Sequence, residues 1–358
     1  MKKDTVISLC GAWKMEYLSP EAYVSEKEAK ITEAAITVEN AVPAYFEDLT
    51  DIFAASPFAD RIAINPMYEH QAYPMTEYPP DMALPNPVGS FVYTRSFELS
   101  ELSDNAYLYF GGAQNRVYAW INGIFVGSHE GYSSEFDFKI NDGVLKIGEN
   151  RITLAVSNVR LLGYMGRPVS GLTSRAANEC TGGIYGDVEI RFTESGVRDV
   201  WVSTSPDLSA FTVNIVGEAD RERTLIIYDG EKELARVKIP EGKSSATLSS
   251  DGYALWSPDS PKLYEAKISD PDGNLFTRKF GIRRLTVRGT KLYLNGKPYF
   301  FRGICEHCYH PITVHPTRDK KYYEKVIKTA KELGFNSIRF HTYVPQMEYM
   351  EAADELGI

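Results

Sequence analysis

The chain has 358 residues, which is more than one hydrophobic core normally serves and suits two or three domains. It is 43% hydrophobic and 12% aromatic, a soluble globular composition, and its net charge of −9 without a Lys/Arg block argues against nucleic acid as a partner. No run of 18 apolar residues is present and the N-terminus, MKKDTVISLCGAW, has no signal-peptide core, so we expect no membrane span and a cytoplasmic protein.

Residues 57–89 are rich in Pro, Tyr and Met and show no clear period. A stretch of this length without regular structure is usually functional or disordered. We interpret it as an ordered excursion on the rim of a β domain. Two alternatives stay open, a segment that reaches toward a substrate site and a structural flap.

Residues 91–193 contain short runs in which apolar and polar residues alternate, as they do in half-buried strands. The runs are FVYTRSFEL (91–99), AYLYF (106–110), RVYAWIN (116–122), IFVGSH (124–129) and RITLAVSN (151–158). Asn122-Gly123 separates two of them and predicts a tight hairpin, because both positions accept positive φ. The absence of helical periodicity favours an antiparallel sandwich.

A second β series runs from residue 197 to residue 280, with Asp229-Gly230 and Asp272-Gly273 as turn signals. Some seven short strands in this length fit a small immunoglobulin-like sandwich. None of the four cysteines lies in it, so no disulfide is expected there.

After Gly281 the pattern changes. RLTVRGTKLYLNGKPYFFRGI predicts a hairpin over Asn295-Gly296 and then a strand. TRDKKYYEKVIKTAKELG predicts a helix that ends at Gly334. FNSIRF (335–340) predicts a strand, and QMEYMEAADELG predicts a second helix. The apolar faces of the two helices are expected to carry Tyr322, Val326, Ala330 and Leu333, and Tyr349, Ala353 and Leu356. This order indicates parallel β/α units, and two units are too few to close an eight-stranded barrel.

The cysteines Cys305 and Cys308 form a C-x-x-C that could be combined with His307 and His310 into a metal cluster. A zinc site normally needs a second ligand pair at a suitable distance, and the sequence offers none. We therefore expect reduced thiols, no metal and no cofactor.

Five segments in this order resemble glycoside hydrolase family 2, which includes β-galactosidases, β-glucuronidases and β-mannosidases. They are YAWINGIFVGSHEGYSSEFDF with IGENRITLAVSN, GGIYGDVEIRF, LWSPDSPKLYEAKI with FGIRRLTV, LYLNGKPYFFRGICEHCYHP, and GFNSIRFHTYVPQMEYMEAADELGI. The resemblance implies a mainly β chain. Its expected parts are a jelly-roll sugar-binding domain (1–195), an immunoglobulin-like sandwich (196–283) and the first two β/α units of a TIM barrel that is cut short (284–358).

The resemblance also implies a retaining mechanism with two glutamates, one acid/base and one nucleophile. In the family these lie on later barrel strands, so we expect no catalytic residue in this chain and no hydrolase activity from it alone. Asn178-Glu179 is the only Asn-Glu pair in the sequence, but it precedes GGIYGDVEI in the sandwich and is not expected to be the acid/base. A polar residue of this stretch often reaches the sugar site in the family, so both residues remain substrate-binding candidates.

The barrel segment supplies the other substrate-binding candidates. His307 and His310 match family histidines that follow the first barrel strand. Arg339 matches the arginine at the end of the second strand, which commonly orients the nucleophilic carboxylate. His341 is the nearest match to the histidine that follows. The family often has Asn and Glu at Cys305 and Cys308, and this departure argues against Mg²⁺ dependence.

The favoured hypothesis is the N-terminal part of a retaining β-glycosidase with a carbohydrate substrate. The alternative is a non-catalytic carbohydrate-binding protein formed by the sandwich domains, which would not need the β/α segment. A scaffold without a ligand is a third hypothesis. Family members are often oligomers, so a homo-oligomer is compatible with the resemblance.

Overall fold

The protein is described here by a computed structural model that covers residues 4–18, 28–64, 87–102, 105–131, 134–158, 182–273, 275–306, 315–341 and 343–358. No helix in these ranges is both long and apolar enough to cross a membrane. The rim segment 57–89 is described only at its ends, where Ala63–Ile64 pairs antiparallel with Pro87–Val88. The predictions made for its middle, residues 65–86, lie outside the described residues.

The N-terminal region consists of strands. They are β1 (Thr5–Ser8), β2 (Gly11–Tyr17), β3 (Ile36–Val42), β4 (Ala44–Tyr45), β5 (Ala63–Ile64), β6 (Pro87–Val88), β7 (Ser90–Leu99), β8 (Ala106–Phe110), β9 (Asn115–Ile121), β10 (Ile124–Gly131), β11 (Phe136–Ile140), β12 (Gly148–Ser157), β13 (Gly183–Ile184) and β14 (Val188–Phe192). A 3-10 helix (Phe46–Leu49), α1 (Thr50–Ala54) and a second 3-10 helix (Ala59–Arg61) follow β4.

Two antiparallel sheets face each other in this region. One has the order β10-β9-β12-β7-β2-β3 and the other the order β1-β14-β8-β11. Alternate residues of both sheets point inward, and Phe91 lies at the centre, with its ring 4.3 Å from that of Phe46 and 4.7 Å from that of Phe53. Each fully buried ring contributes about 1.5–3 kcal/mol. The predicted hairpin is confirmed, with φ of 53° at Asn122 and 79° at Gly123 between β9 and β10.

The middle region forms a second sandwich, with its own core from Val197 to Ile282. Its strands are β15 (Val197–Thr204), β16 (Ala210–Gly217), β17 (Arg223–Asp229), β18 (Lys232–Ile239), β19 (Ser245–Ser249), β20 (Tyr264–Ser269) and β21 (Leu275–Phe280). They form the sheets β15-β16-β19 and β18-β17-β20-β21. Seven strands in two antiparallel sheets are the immunoglobulin-like arrangement predicted from the sequence.

The C-terminal region begins with an antiparallel sheet and continues as β/α units. The sheet contains β22 (Leu285–Arg288), β23 (Lys291–Leu294) and β24 (Lys297–Tyr299), and then follow β25 (Gly303–Glu306), α2 (Lys320–Glu332), β26 (Ser337–Phe340) and α3 (Met347–Leu356). Strands β25 and β26 pair in parallel, as the strand–helix–strand order predicts. Asn295 and Gly296 form the predicted turn, with φ of 52° and 77°.

The predicted buried face of α2 is confirmed at Ala330 and at Val326, which packs against the same core, but it was wrong at Tyr322 and Leu333. Tyr323 and Ile327 are buried together with Ala330, whereas Tyr322 is 39% and Leu333 is 72% exposed. The sequence contains two adjacent apolar pairs at helical spacing, so either member of each pair could face inward. Stacking of Tyr323 on Tyr349 of α3, at 4.3 Å, selects the face that is buried. On α3, Tyr349 is buried as predicted and Ala353 and Leu356 pack against the same core, but the fully buried Ala352 was not predicted.

The predicted end of α2 is confirmed. Gly334 has φ of 88° and donates its N–H to Lys331 O at 2.9 Å, and Phe335 donates to Ala330 O at 3.0 Å. These two bonds are a Schellman motif, in which a left-handed glycine closes the helix. The chain is thereby turned directly into β26.

Candidate functional site

The carboxyl ends of β25 and β26 lie side by side because the two strands are parallel. Cys305 pairs with Arg339, and Glu306 pairs with Phe340. Ile338 and Phe340 pack against the helices, whereas Cys305 and Arg339 point to the other side of the pair and are exposed. In α/β folds this edge is where ligands bind.

Three side chains are joined at this edge. The Nη1 atom of Arg339 lies 3.3 Å from Cys305 Sγ and 3.0 Å from His341 Nδ1. The backbone N–H of His341 donates to Glu306 O at 2.8 Å, which continues the ladder one residue past β26. Because His341 Nδ1 accepts from the guanidinium, the neutral ring carries its hydrogen on Nε2. The edge thus presents a cationic fork and an imidazole, both donors suited to carboxylate or sugar oxygens.

Two of the substrate-binding candidates predicted from the sequence, Arg339 and His341, are therefore brought together. The other four, His307, His310, Asn178 and Glu179, lie outside the described residues, and their roles remain predictions. The C-x-x-C segment that was considered and rejected as a metal cluster also falls largely on residues 307–310, outside the described residues. Across the described ranges, no three His, Cys, Asp or Glu side chains converge as a metal-binding group.

His315 is a site feature that the sequence analysis missed. Its ring is only 7% exposed and stacks at 4.0 Å on Tyr45, which in turn stacks at 4.9 Å on Tyr185. Its Nε2 lies 2.8 Å from Asp48 Oδ1, and its Nδ1 lies 2.9 Å from Pro316 O. Both ring nitrogens therefore lie within hydrogen-bond distance of an oxygen atom.

Asp48 uses its two oxygens for different tasks. One caps the 3-10 helix by accepting from the backbone N–H of Tyr45 at 3.1 Å, and the other faces His315. Burial alone would raise the pKa of Asp48, but the hydrogen bond and charge of His315 hold it below its usual value. No local sequence pattern predicts this contact, because Asp48 and His315 are 267 residues apart.

Arg318 makes a second contact between the same two regions. Its guanidinium binds both oxygens of Asp187, at 2.7 and 3.0 Å, and its Nε lies 3.2 Å from Glu348 of α3. The fork geometry of Arg318 holds the pKa of Asp187 below its usual range. We call residues 315–318 the docking segment, because the side chains of His315 and Arg318 both bind carboxylates of the N-terminal sandwich.

Two family models match the chain. The model described as "Glycosyl hydrolases family 2, sugar binding domain" matches residues 6–191, just over half of the chain. The model described as "Glycosyl hydrolases family 2, TIM barrel domain" matches residues 285–358.

The chain is also similar to characterised β-galactosidases. It is 28% identical over 320 residues to that of Leuconostoc mesenteroides, covering 82% of this chain and 30% of the relative. It is 29% identical over 301 residues to that of Staphylococcus xylosus, covering 81% and 28%. The chain thus spans about a third of the length of the curated relatives it matches.

Solved structures of β-glucuronidases share the fold. The Ruminococcus gnavus enzyme in complex with D-glucuronic acid superimposes with a TM-score of 0.71 at 21% identity, covering 100% of this chain and 59% of that one. The Bifidobacterium dentium enzyme complexed with coumarin-3-O-glucuronide gives 0.71 at 22%, covering 100% and 60%. At these identities the likeness concerns the mainly β architecture, a sugar-binding sandwich, an immunoglobulin-like sandwich and a partial TIM barrel.

Proposed function

The chain belongs to glycosyl hydrolase family 2, and on that basis we propose that it supplies the sugar-binding domain and the beginning of the barrel of a retaining β-glycosidase. The reaction is hydrolysis of an O-glycosidic bond of a β-linked sugar. One carboxylic acid protonates the leaving oxygen while a second carboxylate attacks the anomeric carbon, and water then releases the sugar. In such enzymes the two carboxyl groups are about 5–5.5 Å apart.

The observation that carries the proposal is the Arg339–His341 pair at the carboxyl edge of β25 and β26, with Nη1 and Nδ1 3.0 Å apart. Arg339 is proposed to orient the nucleophilic carboxylate through charge-assisted hydrogen bonds. His341 is proposed to donate to a sugar hydroxyl. His307, His310, Asn178 and Glu179 complete the proposed sugar contacts.

No pair of catalytic glutamates is proposed within these 358 residues, so we expect the purified chain to be inactive. The substrate to test first is an aryl β-D-galactoside, because the relatives with 28–29% identity are β-galactosidases. An aryl β-D-glucuronide is the second, since the structural neighbours are β-glucuronidases. Turnover of either by the purified 358-residue chain would show that the acid/base and nucleophile lie within it.

Reading the coding DNA beyond the Ile358 codon tests the proposal directly. We expect the frame to continue and to encode an Asn-Glu pair and a second glutamate, each at the end of a barrel strand. A continuing frame without these glutamates would contradict a retaining glycosidase.

The non-catalytic carbohydrate-binding alternative predicts a different result, because its sugar site would lie on the sandwich domains. The affinity of the chain for galactose would then be unchanged by Arg339→Ala. If Arg339 contributes to the sugar site, the same substitution lowers that affinity.

A further inference from the structure

The outer face of the sheet β15-β16-β19 in the immunoglobulin-like sandwich carries an exposed tryptophan. Trp201 of β15 is 53% exposed, whereas its neighbours in the strand, Val200 and Val202, pack on the core of the domain. A single exposed apolar side chain is common on protein surfaces and needs no function. The side chains that surround Trp201 therefore decide whether its ring belongs to a binding site.

The strand register surrounds the Trp201 ring with polar side chains. The strands β15, β16 and β19 lie side by side, and alternate residues of each point outward. Two successive rows of outward residues, with one residue from each strand in a row, form what we call the Trp201 face. The rows are Trp201, Asn214 and Ser245, and Ser203, Thr212 and Thr247. Every member except the tryptophan carries a hydroxyl or an amide group.

The Trp201 face carries no charge. None of the six side chains in its two rows is an acid or a base. The outer face of the other sheet of the same sandwich is different, because it carries the ion pairs Arg236–Glu233 at 2.7 Å and Lys267–Glu265 at 3.0 Å. Such charges are ordinary on a sheet whose outer face is solvated. The neutral composition is therefore particular to the Trp201 face.

The polar groups of the Trp201 face are held in place by one another. The Oγ1 atoms of Thr212 and Thr247 lie 2.9 Å apart, and Asn214 Nδ2 lies 3.4 Å from Ser203 Oγ. A hydroxyl donates one hydrogen bond and accepts two, and an amide also does both. These side chains can therefore keep their mutual contacts and still bond a ligand on the solvent side.

The chemistry of the Trp201 face matches a sugar ring. A β-linked pyranose has an apolar face of C–H groups, which stacks on an aromatic ring, and a rim of neutral hydroxyls, which bond hydroxyl and amide groups. A nucleic acid or another polyanion would need cationic side chains, and the face has none.

The size of the Trp201 face argues against a protein partner. Neighbouring strands are about 4.8 Å apart and alternate residues about 6.7 Å apart, so three strands and two rows cover roughly 200 Å². A stable protein interface buries about 800 Å² on each partner. The face is therefore large enough for a short stretch of a glycan chain and too small for a stable dimer.

We propose that the Trp201 face binds a neutral β-linked glycan. One sugar ring stacks on Trp201 and bonds Asn214 and Ser245, and the next ring along the chain reaches the hydroxyls of Thr212 and Thr247. The site holds the glycan without breaking a bond. It goes beyond the proposed glycosidase function and does not depend on it, because no residue of the Arg339–His341 edge belongs to the face.

The first test is affinity electrophoresis of the whole 358-residue chain in gels that contain a soluble β-linked galactan or hydroxyethylcellulose, both neutral. We expect at least one polymer to slow the chain, and high salt to leave the effect unchanged, because no charge takes part. We expect Trp201→Ala to weaken the apparent affinity about tenfold or more, and Trp201→Phe to weaken it less. If neither polymer slows the chain, the proposal is wrong.

Leu275→Ala is the matched control for the tryptophan substitution. Leu275 is an apolar side chain of similar exposure, 56%, on β21 in the other sheet of the same sandwich. Its replacement should leave the retention and the Tm unchanged, and Trp201→Ala should leave the Tm unchanged too, because both side chains are on the surface. Thr247→Val keeps the side-chain shape, removes a hydroxyl and should weaken retention. Retention that survives Trp201→Ala, or that falls equally in Leu275→Ala, would overturn the proposal.

Tryptophan fluorescence shows whether the glycan covers the ring itself. Of the four tryptophans, Trp13, Trp120 and Trp256 are at most 4% exposed, so acrylamide in solution quenches mainly Trp201. We expect the polymer that slows the chain to protect Trp201 from acrylamide. Unchanged quenching would place the glycan elsewhere and contradict the proposal. Protection that exists without polymer and grows with protein concentration would also contradict it, since a second copy of the chain would then cover the face.

Discussion

At the residue scale, His315 combines three contacts that favour one position of the ring. It stacks on Tyr45 and bonds Asp48 and Pro316 O through its two nitrogens. We expect His315→Ala to lower the free energy of unfolding by about 2–4 kcal/mol, because it removes a ring stack and the hydrogen bonds of the ring nitrogens. His315→Phe keeps the stack and should lose about half as much. Urea unfolding of the three proteins measures this order. Equal losses in both variants would contradict a role for the ring stack, and an unchanged stability of His315→Phe would contradict a role for the hydrogen bonds.

The same contacts set a pH dependence whose sign follows from the two aspartates. The pKa values of Asp48 and Asp187 are held below the ordinary value of 3.8 by His315 and Arg318. Such a group stabilises the fold above pH 3.8, and that contribution is lost as the pH falls through its lowered pKa. We expect the unfolding free energy to fall below about pH 4 and to fall less steeply in Asp187→Asn. Parallel pH profiles for wild type and variant between pH 2.5 and 6 would contradict this.

The candidate site was predictable where its residues are neighbours in sequence. Arg339 and His341 lie two positions apart at the end of one strand, so the strand and the motif together place them at one edge. His315 was not predictable, because its partners Tyr45 and Asp48 come from the other end of the chain. Contacts of this kind depend on how two domains meet, and no local pattern encodes that.

At the element scale, the hairpins and helix ends agree with the predictions, because the residues at each turn determine its backbone conformation. Asn122-Gly123 and Asn295-Gly296 adopt the positive φ values that their turns require. The buried face of α2 was predicted only in part. Each of its two adjacent apolar pairs offers two positions that could face inward, and only packing against α3 selects one.

The difference between the predicted and the observed buried face of α2 leads to a testable prediction. Ile327 is fully buried, whereas Leu333 is 72% exposed although it belonged to the predicted face. We expect Ile327→Ala to cost about 2–4 kcal/mol through lost contacts and a cavity. Leu333→Ala, the control on the same helix, should stay within about 0.5 kcal/mol. Chemical denaturation gives both values, and a larger cost at Leu333 would mean that the helix buries the other face.

At the scale of the whole molecule, three cores are joined by a few polar contacts. The docking segment ties the barrel units to the sugar-binding domain. On the other side, Trp256 Nε1 of the immunoglobulin-like region donates to Asp354 O of α3 at 2.8 Å, and Arg283 lies over the Trp256 ring. The order of the domains could be predicted from turn signals along the chain. The packing of the domains against one another could not be predicted, because it depends on single side chains that are far apart in the sequence.

Lys331 is the side chain whose removal tests this packing most directly. Its ammonium donates to the carbonyls of Pro258, Leu356 and Gly357 at 2.7, 2.6 and 2.8 Å, so it fastens the end of α3 to the immunoglobulin-like region. Lys331→Met keeps the length of the side chain but leaves three carbonyls without this donor. We expect it to destabilise the α2–α3 unit by about 2–3 kcal/mol.

Amide hydrogen exchange resolves where that loss occurs, because each region reports its own opening free energy. Protection should fall in α2 and α3 and stay unchanged in the core strands β7 and β12 of the sugar-binding domain. Lys328→Met is the matched control, since Lys328 is exposed on the same helix and, among the described residues, pairs only with Glu324, at 3.3 Å. It should change protection by less than about 0.5 kcal/mol. Equal effects of the two substitutions would show that charge on α2, rather than the three carbonyl contacts, holds the C-terminal unit in place.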